Sequence, residues 1–152
     1  MHQDPKLRHP VAVGVINREV KHLYTDKVNR TPNNRNPLRQ QAFIPSIAVG
    51  PNGELAVTYY DFRNDTADSH EATDFWAVFC SPRTLDCRKT SNWGVEVRLT
   101  NRSFDIQNAP DAGGYFLGDY MGLTRAGNPV QSAFVAATTP GKTVLYTRKI
   151  SF

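Results

Sequence analysis

Hydrophobic residues in this chain gather into short runs separated by clusters of Gly, Pro and Asn. Two neighbouring runs, FIPSIAV and ELAVTYY, flank Pro51-Asn52-Gly53. Proline presets φ and Asn-Gly tolerates the positive φ of a tight turn, so residues 43–65 read as two strands joined by a hairpin. Apolar side chains crowd residues 44–49 as in a strand covered on both faces. Leu55, Val57 and Tyr59 instead alternate with Glu54, Ala56 and Thr58. The second strand delivers Tyr59, Tyr60, Asp61 and Arg63 to the start of a loop, where β scaffolds usually carry their chemistry.

The same pattern places strands at 11–16 and 20–24, around Asn17-Arg18, and at 43–49, 54–60, 74–80, 95–100, 115–124, 130–136 and 143–150. No segment sustains a helical period between good caps, so the expected class is all-β, as a sandwich, barrel or propeller. Two sub-patterns favour the propeller. FIPSIAVGPNGELAVTYYD and YFLGDYMGLTRAGNPVQSAFVA each set a strand, an Asn-Gly or Gly-Asn turn and a second strand in order, like the inner strands of successive blades. Residues 1–42 form a different region, two strands and then the Asn-, Arg- and Pro-rich connection DKVNRTPNNRNPLRQQ. Residues 43–152 carry the blade-like strands.

At 152 residues and 39% hydrophobic content, the chain suits one domain with a true core. The net charge of +4 has its basic excess before residue 45, in Lys6, Arg8, Lys21, Lys27, Arg30, Arg35 and Arg39. These are dispersed among Asn and Pro, with no recognition helix or aromatic RNA-reading motif, so no nucleic-acid partner is expected. No run approaches the roughly 18 apolar residues of a membrane span, and MHQDPKLRHP lacks the apolar centre of a signal peptide. Cys80 and Cys87 cannot make a tetrahedral cysteine zinc site alone, and no histidine lies between them. A disulfide closing a loop between strands is the expectation, in an oxidising compartment. Asn-x-Ser/Thr sequons at Asn29, Asn64 and Asn101 also fit export, and the expected location is extracellular.

The order FIPSIAV, turn, LAVTYYDFRND, TDFWAV, a polar turn ending in Asn92-Trp93-Gly94, VEVRLT, SFDIQNAP and GYFLGDYMGL resembles sialidase-like β-propeller proteins with bacterial-neuraminidase (Asp-box) repeats. The match covers residues 41–135. It implies an incomplete sialidase-like propeller of roughly two to three blades, against the roughly four that a ring needs at least. A fragment of a larger propeller, a unit that assembles with copies or partners, and an open remnant are the alternatives. In the family the turn between third and fourth strands reads Ser-x-Asp-x-Gly-x-Thr-Trp. Here Ser81 opens CSPRTLDCRKTSNWG and Trp93 closes it, expected as a blade-packing residue, and a Cys80–Cys87 bridge would replace the missing turn hydrogen bonds.

Sialidase chemistry needs arginines to hold a carboxylate, a tyrosine nucleophile polarised by glutamate, and an aspartate acid/base. Carried onto this chain, the resemblance implies Asp61, Arg63, Asp119 and Tyr120 as catalytic candidates, with Arg39, Tyr60, Asp111 and Tyr115 binding substrate. Propeller geometry would put the loops 61–73 and 101–114, with Asp105 and Asp111, on one face and the Asp-box turn on the other. The chain departs from the family at Phe43, which stands where Phe/Tyr-Arg-Ile-Pro has its arginine. Glu54, Glu71 and Glu96 fall on turn, loop and outer strand. A simpler account has Asp61 and Arg63 pairing with each other.

The loop DFRNDTADSHEATD gathers Asp61, Asp65, Asp68, Glu71 and Asp74, hard oxygens of the kind calcium takes, without the spacing of an EF-hand. A solvated acidic loop is the competing account, and no other cofactor is expected. His2, His9, His22 and His70 are too scattered for a metal set. Two functions follow: a glycoside hydrolase of exo-sialidase type acting on acidic sugars, or a non-catalytic module that binds carbohydrate or protein, or assembles. The expected partners are carbohydrate or glycoprotein, with self-assembly or the remainder of a larger propeller.

Overall fold

A computed structural model of the chain describes residues 12–16, 22–28, 41–66, 71–127 and 129–151. Among them the regular structure is strand, apart from two single 3-10 turns at Thr90–Asn92 and Ile106–Asn108. Every strand pair is antiparallel, so the fold is all-β.

Strands β1 (Ala12–Ile16) and β2 (His22–Lys27) pair with each other. A four-stranded meander follows: β3 (Ala42–Val49), β4 (Leu55–Asp61), β5 (Ala72–Cys80) and the short β6 (Val97–Arg98). Strand β7 (Phe104–Asp105) pairs with the first residues of β5. The second meander has three strands, β8 (Gly122–Arg125), β9 (Val130–Thr139) and β10 (Lys142–Ile150). The described strands do not close into a ring or barrel.

The β3–β4 turn is built as its residues require. Gly53 takes φ +86°, and its N–H donates to the Gly50 carbonyl at 3.1 Å. At the other end of β3 the register shifts between Phe43 and Ser46. Pro45 has no N–H to give the ladder and Ile44 sits at φ +49°, so the strand bulges at Ile44-Pro45.

Three expectations change. It is β4, not β3, that is covered on both faces. β4 is central in its sheet, with apolar layers above and below, while β3 alternates half-buried and exposed positions. The expected strand at 115–124 is irregular until Gly122, because Gly118 takes φ +112° and breaks the extended run. The expected strand at 95–100 shrinks to the two residues of β6.

The two meanders pack face to face over an aromatic stack. Tyr60 lies 5.3 Å from Phe43 and 4.5 Å from Phe75, Phe75 lies 4.6 Å from Phe134, and Phe134 lies 5.8 Å from Tyr146, centroid to centroid. Leu99, Phe104, Ile106, Leu117 and Met121 close this layer. Fully burying one such side chain stabilises by about 1.5–3 kcal/mol, which makes the layer the chief link between the sheets. The opposite face of the first meander holds a second cluster of Val28, Val57, Tyr59, Val78, Cys80 and Trp93.

Candidate functional site

The pleat of β4 sends Tyr59 and Asp61 to one face and Tyr60 to the other. Tyr59 and Asp61 are fully buried, and Arg63 folds back over them. Its Nε donates to Asp61 Oδ2 at 2.7 Å, and its Nη2 donates to the Tyr59 hydroxyl at 3.0 Å. Nη1 pairs with Glu96 Oε2, and the guanidinium carbon stands 4.0 Å from the centroid of the Trp76 ring. Arg63 is only 12% exposed. The fork that would clamp a substrate carboxylate is closed on the chain's own carboxylates.

Asp74, paired in register with Asp61 across β4 and β5, holds a second network. Its carboxylate accepts from Asn64 Nδ2 at 2.7 Å, Arg98 Nε at 2.8 Å, Thr100 Oγ1 at 2.6 Å and Ser103 Oγ at 2.8 Å. This one buried group ties the loop after β4 to the segment after β6. The two segments thus meet at one end of the sheet, where Asp105 caps the 3-10 turn by accepting from Gln107 N at 2.8 Å.

Near them lies Glu71, at φ +56°, whose carboxyl is pushed above its ordinary range by partial burial and then by the Asp65 and Asp105 carboxylates. Asp65 also accepts the Ala72 N–H at 3.1 Å. No group of three or more His, Cys, Asp and Glu among the described residues is placed to hold a metal ion. Asp68, His70 and Arg39 lie outside the described residues.

Tyr60 belongs to the core. Its hydroxyl donates to the Val135 carbonyl at 2.8 Å and accepts the Val135 N–H at 3.1 Å, with Met121 Sδ at 3.2 Å. Burial drives its phenol pKa upward, the Val135 hydrogen bond opposing in part. Asp111, Tyr115, Asp119 and Tyr120 sit on the loop entering β8, all exposed. Asp111 Oδ1 accepts from Gly113 N at 3.0 Å and Gly114 N at 2.9 Å, and Tyr120 is 91% exposed. Leu117 and Met121 anchor this loop by turning inward. The four catalytic candidates are therefore divided: Asp61 and Arg63 lie in a closed network, Asp119 and Tyr120 in open solvent.

On the side of the sheet where β5 ends, Cys80 and Cys87 are joined by a disulfide, and Trp93 Nε1 donates to the Cys87 carbonyl at 3.0 Å. Trp93 is 2% exposed, packed in the second apolar cluster beneath this loop.

The sequence reading missed a cleft of about 370 Å3 between the segment after β6 and the strands β9 and β10. Leu99, Asn101, Arg102, Thr138, Tyr146 and Arg148 are among its lining. The signal that bears on it is the alternation of TVLYTRKI, which sets Tyr146 and Arg148 on one face of β10. Searches against protein-family models, curated proteins and solved structures find no match to this chain.

Proposed function

We propose that the chain provides adjoining blades of a sialidase-like β-propeller and serves as a non-catalytic binding and assembly module, with carbohydrate or a glycoprotein as its partner. The observation that carries this reading is the outer edge of β10. In the first meander β5 takes β6 on its far side, whereas β10 has no described strand there and is exposed from Lys142 to Lys149. A strand edge with unpaired N–H and C=O groups is a template for another strand. Val144 and Leu145 add exposed apolar surface to that edge.

The loop entering β8 supplies a surface for a carbohydrate partner, since Tyr115, Phe116 and Tyr120 expose aromatic faces beside Asp111 and Asp119. Hydrolysis has less support, because Arg63, Asp61 and Tyr60 are committed to folding contacts. Size-exclusion chromatography with light scattering is expected to give a concentration-dependent oligomer, and a monomer at every concentration would sink the assembly reading. A fluorogenic sialoside is expected to stay intact. Turnover that disappears in Asp119→Ala would restore the hydrolase.

A further inference from the structure

We infer that Asn101 is an N-glycan acceptor when the chain passes through a eukaryotic secretory pathway, and that Asn64, the other sequon asparagine among the described residues, is closed to the same modification. The inference is independent of the propeller reading. Asn64-Asp65-Thr66 and Asn101-Arg102-Ser103 have the same tripeptide form, and both asparagines are exposed. What separates them is the direction of the side-chain amide.

At Asn101 the partner is Arg148, whose Nη2 donates to the amide Oδ1. A guanidinium has donors and no acceptor, so the oxygen must face it and Nδ2 is left on the other arm of the amide. No hydrogen bond among the described residues engages that nitrogen. At Asn64 the partner is the fully buried Asp74, which is ion-paired with Arg98 at 2.6 Å. A carboxylate only accepts, so here Nδ2 turns inward and donates to Asp74 Oδ2 at 2.7 Å. An N-linked glycan grows from Nδ2. At Asn64 it would have to enter the Asp74 network, whereas at Asn101 it leaves from a bend whose next residue, Arg102, is also exposed.

The third residue of the sequon fixes the order of events. Ser103 Oγ donates to Asp74 Oδ2 at 2.8 Å and accepts from Arg98 Nη2 at 3.1 Å. The hydroxyl that marks the acceptor is thus engaged once the fold closes, and transfer belongs to the nascent chain. In that step Asn101 Nδ2 bonds to a sugar C1 as the C1–O bond of a lipid diphosphate-linked oligosaccharide breaks; the diphosphate keeps the electron pair and the amide gives up one proton. Folding then sorts the two sites, because only Asn101 can carry its glycan outward. The Cys80–Cys87 disulfide, which owes nothing to the sequons, suits the oxidising compartment in which such transfer takes place. A glycan on Asn101 stands at the rim of the cleft beside Arg148 and shields it.

The test makes the full chain in mammalian cells behind an added secretion leader and maps intact glycopeptides of the folded, disulfide-bonded protein by mass spectrometry. A glycan is expected on Asn101 in most molecules and none on Asn64, with Asn29 read on its own peptide. Ser103→Thr keeps a hydroxyl for Asp74 and Arg98, and should hold or raise the occupancy of Asn101. The near-ultraviolet circular dichroism of the glycosylated chain should match that of the chain made in bacteria, since an outward glycan leaves the core in place. Three results would overturn the proposal: a bare Asn101 in both the parent and the Ser103→Thr chain, a glycan on Asn64 of the folded protein, or an aromatic spectrum altered by glycosylation.

Discussion

Tyr59 and Tyr60 are neighbours on β4 whose hydroxyls serve opposite sides of the sheet. The Tyr59 hydroxyl takes a hydrogen bond from Arg63, while the Tyr60 hydroxyl grips both backbone groups of Val135 in the second meander. One step along a strand thus separates an electrostatic clasp from the joint between sheets.

Tyr60→Phe should therefore loosen that joint. Removing the hydroxyl leaves the Val135 N–H and carbonyl without this partner, a loss of about 1–3 kcal/mol by denaturant unfolding. The pH dependence has a definite sign. A free tyrosine ionises near pH ~10, and the buried phenol holds its proton to higher pH. Its contribution is complete below the unfolded value and is lost as pH climbs from there toward the raised folded value. Alkaline unfolding curves of Tyr60→Phe should lack that part of the loss.

Arg63→Ala should cost about 3–5 kcal/mol, because it leaves the buried Asp61 and Glu96 carboxylates without their cation. Asp61→Ala and the double variant complete a cycle in which the two losses fall well short of adding. Additive losses would show that the pair acts independently.

Replacing Cys80 and Cys87 together by Ala opens a loop with a sequence separation of 7. The loss expected from loop closure is about 2–3 kcal/mol. Because the Trp93 indole donates to the Cys87 carbonyl, reduction should also change tryptophan fluorescence before global unfolding.

Glu71→Gln is expected to stabilise at neutral pH. The Glu71 carboxyl titrates above its ordinary range, so its protonated form is favoured in the fold. That stability is full below the unfolded pKa and lost as pH rises through the folded one. Melting temperatures of the variant and the parent chain should converge as the pH is lowered into the acid range.

The hairpin from β3 to β4 is legible in Asn52-Gly53 because turn chemistry is local. Which of its strands is covered twice is not, since that depends on a sheet formed by residues near 134. The hydrophobicity of 115–124 suggests a strand, yet Leu117 and Met121 turn inward while Tyr115, Phe116 and Tyr120 stay exposed. Arg63 illustrates the limit for chemistry: a guanidinium beside a carboxylate looks the same in sequence whether it awaits a ligand or closes on Glu96, 33 residues away. Arg102 and Arg148 share a cleft only because two meanders pack, and no local pattern joins them.

The Cys80–Cys87 bridge also decides how the chain behaves when cut. Pro82, Arg83, Thr84 and Leu85 are exposed inside the loop it closes. A tryptic nick after Arg83 would leave both pieces covalently joined, migrating as one intact band until a reductant releases them.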